Sequence, residues 1–169
     1  RWIWVRRHAY ECLAWQSRNH LLQLNRLTLQ RDNQFGMNLE DISLSVRAGE
    51  VVGIAGVSGN GQRELLYALS GEDTRAAPAM VQIHGQDAGR MGPGQRRKLG
   101  VNFVPEERLG RGAVPAMGLA HNLMLTRTDA IGKSGWIKVG ALQRQAESII
   151  QRFNVKTGGP HAPARSLSG

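Results

Sequence analysis

Apolar and polar residues alternate over two stretches near the start of the chain. Leu22, Leu24, Leu27 and Leu29 alternate imperfectly with polar neighbours, and Ile42, Leu44 and Val46 alternate cleanly with Ser43, Ser45 and Arg47. Period-two alternation marks a half-buried strand, so the pattern predicts two antiparallel strands. A turn at Ala48-Gly49-Glu50 leads into Val51-Val52-Gly53-Ile54-Ala55. That run is apolar on both faces, as a buried parallel strand should be. Leu65, Leu66 and Leu69 recur at helical spacing and predict a helix over 62–70, with Gly71 as its C-terminal cap. Further on, the pattern predicts a short strand over 80–84, a basic helix near 94–99 and an apolar strand over 101–104 ended by Pro105. A helix over 119–125 and a loop over 132–135 follow. Over 139–154, Leu142, Ala146, Ile149, Ile150 and Phe153 fall on one helical face. Residues 1–20 hold three of the four tryptophans and show no clear period; they read as a linker from a preceding domain or a non-native arm. No internal repeat is visible.

Composition narrows the class. The chain has 169 residues, enough for one domain, and 41% of them are hydrophobic, as in globular proteins. No apolar run approaches the roughly 18 residues that span a membrane. The basic, aromatic start lacks the continuous apolar core and cleavage site of a signal peptide. A lone cysteine, Cys12, excludes an internal disulfide framework. These features place the protein in the cytoplasm. The formal net charge of +9 favours contact with phosphates, anionic lipid or nucleic acid. The arginines are spread along the chain, however, and the one tight run, Arg96-Arg97-Lys98, reads as the solvated side of a short helix. No nucleic-acid-binding motif is visible, so no specific nucleic-acid partner is expected. His84, His121 and His161 stand apart, so no metal site is expected.

The candidate chemistry lies just after the strand at 51–55. Gly56-Val57-Ser58-Gly59-Asn60-Gly61-Gln62-Arg63 joins an apolar strand to a helix, the layout of a phosphate-cradling loop. The Walker A pattern is G-x-x-x-x-G-K-[ST]. Gly56 and Gly61 have its separation, but Gln62 stands at the lysine and Arg63 at the hydroxyl position. Backbone N–H groups and the positive end of the helix can still meet an anion. Glycine at 56, 59 and 61 permits close approach. The charge that neutralises terminal phosphates and the hydroxyl that holds Mg²⁺ are missing.

This order of elements, with Ala48-Gly49-Glu50-Val51-Val52-Gly53-Ile54-Ala55-Gly56, Gly59-Asn60-Gly61-Gln62, Phe103-Val104-Pro105-Glu106-Glu107-Arg108-Leu109-Gly110-Arg111-Gly112 and Ala120-His121-Asn122-Leu123, resembles the nucleotide-binding domain of an ABC transporter. More narrowly, it is similar to the second cassette of the fused double-cassette proteins that power simple-sugar and nucleoside uptake. The resemblance runs from about residue 21 to 169. It implies an α/β, P-loop NTPase-type fold with an antiparallel β subdomain, a partial parallel core and a partial helical subdomain. The β-rich and P-loop core would occupy 21–113 and the helical subdomain 114–169.

The resemblance assigns nucleotide contacts to Gly56, Ser58, Gly59, Asn60, Gly61, Gln62 and Arg63. Phe35 is its candidate for the aromatic that stacks on adenine, or else a turn aromatic covering the sheet. Glu106 takes the place of the Q-loop glutamine, and the loop it opens is expected to face the membrane subunit. Leu167, Ser168 and Gly169 open the signature segment, which in ABC dimers completes the ATP site of the opposite cassette. The Walker B aspartate, catalytic glutamate and switch histidine are expected downstream, so the chain resembles a cassette cut short. Strand 51–55 would then lack its parallel neighbours and favour self-association.

The implied function is that of an ATP-binding subunit of an importer, at the inner face of the cell membrane. It would work with permease subunits and a second cassette, with ATP and Mg²⁺ as ligands of the intact protein and weak or no binding in this loop. A cassette that only completes a partner's ATP site, and a basic nucleic-acid-binding module, remain as alternatives.

Overall fold

The computed structural model describes residues 3–8, 20–125, 127, 132–133 and 136–167, with backbone alone at 3–8 and 132–133. These fall into two compact units, 1–102 and 103–169.

The first unit is built on β2 (His20–Leu29) and β3 (Leu39–Arg47), the two alternating stretches, which pair antiparallel. Their imperfect alternation has a structural cause. Leu24 faces Leu44, Leu27 faces Ile42 and Leu29 faces Leu39. Between the first two pairs β2 carries one extra residue, and between the next two β3 carries one. Each is a β-bulge, which inserts a residue without turning the apolar face away. Arg26 and Asp41 absorb them, both at φ 50. Their side chains meet at 2.8 Å; the Arg26 N–H donates to Ser43 Oγ and the Asp41 N–H to Thr28 Oγ1. The leucines therefore stay buried on one face: Leu24, Leu27, Leu29, Leu39 and Ile42 are all core.

After β4 (Glu50–Ala55) and the loop that follows it, α1 (Gln62–Ser70) lays Leu65 and Ala68 into that core. Each large apolar side chain so buried contributes about 1.5–3 kcal/mol. Leu66, expected on the same face, is 36% exposed, because the buried stripe runs through 65 and 68 instead. Gly71 ends the helix in the left-handed conformation, its N–H donating to the Tyr67 carbonyl. β5 (Val81–Ile83) adds to the other edge of β2, and β6 (Gln86–Asp87) follows it through a turn at His84 and Gly85. The sheet order is β3-β2-β5-β6, and α2 (Pro93–Lys98) follows.

Two strand expectations are corrected. β4 is not a buried parallel strand. It pairs antiparallel with β1 (Ile3–His8), a segment in which the sequence pattern predicts no element, and its residues are half-buried or exposed. All three sheets among the described residues are antiparallel. Residues 101–104 form no strand, since no neighbouring strand pairs with them; Val104 is 89% exposed.

The second unit centres on α3 (Leu119–Leu125) and α4 (Val139–Arg152), whose Ala120, Leu142 and Ala146 form a small core. β7 (Gly132–Lys133) and β8 (Trp136–Ile137) make a short hairpin where a loop was expected. Ile149 and Ile150 are half-buried, but Phe153 lies past the end of α4, 66% exposed, with the Arg152 guanidinium 5.4 Å from its ring. No helix of the described residues is long and apolar enough to cross a membrane.

Candidate functional site

The glycine-rich loop leaves β4 at Ala55 and enters α1 at Gln62. Gly59 and Gly61 hold φ of 87 and 91, a left-handed region that side chains with a Cβ resist. Gly61 is buried and forms the N-cap of α1, with no side chain capping the helix. Its carbonyl accepts the first helical hydrogen bond, from Leu65, at 2.9 Å. The first-turn amides of α1 are thus left for an outside acceptor. Residues 56–60 are all exposed.

Gln62 changes what this cradle can do. Its side chain folds back over the loop: Nε2 donates to the Val57 carbonyl at 2.8 Å and Oε1 accepts from the Asn60 N–H at 3.1 Å. One loop amide is therefore already taken by the protein. The amides of Ser58, Gly59 and Gly61 have no acceptor among the described residues. Arg63 is exposed and makes no ion pair among the described residues, while Glu64 puts a carboxylate in the first turn. A negative charge there opposes an incoming anion. The loop fits a phosphate group through its remaining amides. It does not fit Mg²⁺, because Arg63 stands where a hydroxyl ligand is needed.

The other predicted site residues are placed as follows. Phe35, in the first unit, is 83% exposed in a turn closed by Gly36 N–H on the Asn33 carbonyl. It does not cover the sheet. Glu106, in the second unit, is exposed at the start of a loop that Gly110 N–H to Ala113 and Gly112 N–H to Glu107 fold on itself. Leu167, also in the second unit, lines an apolar groove of about 240 Å³ with Leu119, Leu123, Ile149 and Ile150. Ser168 and Gly169 lie outside the described residues, as do Cys12, Trp2 and Trp15. A larger groove of about 370 Å³, lined by Gln23, Asn25, Ser43 and Val52, includes no residue of the glycine-rich loop.

Two polar anchors escaped the pattern reading. Arg96 is not on a solvated side: it is wholly buried. Its guanidinium donates to the carbonyls of Ala68, Leu69 (2.8 Å), Ala88 (2.8 Å), Gly89 (3.3 Å) and Met91 (2.9 Å). It thereby ties the last turn of α1 to the segment before α2. Burial lowers its pKa from the ordinary arginine value. The one available signal was Leu99, three residues on, which packs against the same core. Asn122 is the second anchor. Its Oδ1 accepts from Val114 N–H at 2.7 Å and its Nδ2 reaches the carbonyls of Val114, Met117 and Gly118. Asparagine within a helix, where it is a weak former, was the signal for it.

Over 130 residues the chain is 37% identical to a ribose import ATP-binding protein of Halalkalibacterium halodurans, a stretch covering 77% of the chain and 26% of that relative. It is 37% identical over 131 residues to an uncharacterized ABC transporter ATP-binding protein of Escherichia coli, covering 78% and 26%. It is 31% identical over 161 residues to a nucleoside import ATP-binding protein of Lactococcus lactis, covering 94% and 31%. The chain thus spans between a quarter and a third of the length of these curated relatives. No family model matches it, and no solved structure does.

Proposed function

The chain belongs to the ATP-binding proteins of ABC transporters that import simple sugars and nucleosides, and on that premise we propose that it is part of a second cassette whose own phosphate loop binds nucleotide weakly and does not hydrolyse it. The observation that carries this reading is the loop between β4 and α1. Its glycines keep the left-handed turns of a cradle, while Gln62 and Arg63 replace the lysine and hydroxyl that phosphoryl transfer needs.

In the whole protein, ATP binding and hydrolysis drive uptake of a nucleoside or simple sugar through membrane permease subunits at the inner face of the membrane. Hydrolysis then takes place where a lysine-bearing cassette holds ATP and Mg²⁺. Phe35 supplies an exposed ring for adenine, and the exposed loop begun by Glu106 meets the permease. Leu167, with Ser168 and Gly169, serves the opposite cassette. The occupied Asn60 amide favours a stricter version, in which this cassette only completes its partner's ATP site.

Titration with Mg-ATP, read by binding and phosphate release, tests the reading. The expected result is saturation only at millimolar nucleotide and no turnover above the blank. Micromolar affinity with turnover removes it, and nucleotide assays on the separated cassettes of the intact subunit decide between the two versions.

A further inference from the structure

We propose that Gln62 closes the glycine-rich loop on itself and is the residue that sets its low affinity for polyphosphate. This inference rests on the reading of the loop as a phosphate site and adds a device within it.

A primary amide is an uncharged fork, with a donor on one arm and an acceptor on the other. Both arms of Gln62 are used, on the same loop: Nε2 on Val57 and Oε1 on Asn60. Lysine or arginine at this position could donate to Val57 but could not accept from Asn60. Glutamate could accept from Asn60 but could not donate to Val57. Glutamine alone of these four can span the turn from both sides. The result is a loop whose shape is held without a ligand.

A phosphate oxygen that needs the Asn60 N–H must first displace Oε1. It then finds no lysine to attract it, and Glu64 adds a negative charge to the first turn of α1. The substitution at position 62 therefore removes a cation and also installs a competitor.

Two variants of the chain test this, Gln62→Ala and Gln62→Met, the second keeping much of the side-chain bulk without the amide. The probe is inorganic pyrophosphate, titrated without metal, and the second readout is hydrogen exchange at the Asn60 amide in the absence of ligand. Removing the competing hydrogen bonds is expected to speed Asn60 exchange and to lower the pyrophosphate Kd, each by about threefold to tenfold in both variants. Unchanged Asn60 exchange in both variants overturns the closure. Faster exchange with a Kd equal to that of the parent chain overturns the role in affinity and leaves the phosphate-site reading standing. No pyrophosphate binding by any of the three chains overturns both.

Discussion

Arg96 shows how far a residue can depart from what its neighbours suggest. In the sequence it opens a run of three cations; in the fold it is enclosed, and five main-chain carbonyls take the place of a carboxylate partner. Two of them belong to the last turn of α1, where the helix dipole is negative and favours a cation. Backbone acceptors leave no mark in a sequence, which is why this role was not legible. Gly89 is part of the same arrangement: a Cβ on it would lie 2.1 Å from the Ala77 carbonyl oxygen. Arg96→Met should lower the unfolding free energy by about 3 kcal/mol, because the carbonyls lose their donors. Arg96→Lys should not rescue it, since an ammonium cannot reproduce the planar fork. Urea denaturation of the three chains is the check. Asp73 supplies a pH test. The Arg75 side chain, bonded to both carboxylate oxygens, holds the Asp73 pKa below its ordinary value. A carboxylate with a lowered folded pKa stabilises the fold above its unfolded pKa, and that stability fades as pH falls through the folded one. The contact should therefore add a constant increment down to about pH 4 and lose it below that. Asp73→Asn should lower the urea midpoint near neutrality and shrink the difference from the parent chain in acid.

Elements were legible where one apolar face meets one core. Helices α1 and α4 and strands β2 and β3 follow the periodicity of their apolar residues, because burial of one face is what sets that periodicity. The misses share a cause: β4 and residues 101–104 both carry apolar runs, and a run alone does not say which strand, if any, will pair with it. Thus Val51 to Ala55 reads as a parallel strand and is found antiparallel to residues 3–8. Strands β7 and β8 are two residues each, too short for alternation to show. The glycine-rich loop was legible down to its glycines. The fold-back of Gln62 was not, because it depends on the path of the loop as well as on residue type.

At the scale of the molecule, charge and apolar exposure point in different directions. The cations behind the net charge of +9 are not all free at the surface: Arg96 is buried, and Arg26 and Arg75 have carboxylate partners. That weakens the case for a nucleic-acid surface, which needs its cations free and clustered. Each unit also exposes large apolar side chains, Val57 (77%) in the first and Val104 (89%) and Trp136 (82%) in the second. Exposed apolar surface favours contact with other chains. Sedimentation should therefore show concentration-dependent association of the chain, and a single monomeric species at all concentrations would contradict the expectation. The family was legible from the joint occurrence of the loop, the Val-Pro-Glu segment and the order of elements, none of which is specific alone. The bulges in the central strand pair have a consequence for how the chain can change length. A chain lacking both Arg26 and Asp41 would have an unbroken ladder from Leu24 to Leu29, with its leucines still turned the same way. The two bulges are independent, so a chain lacking only Arg26 or only Asp41 would also keep the Leu24–Leu44, Leu27–Ile42 and Leu29–Leu39 pairs, and either strand can lose its extra residue without turning a leucine out of the core.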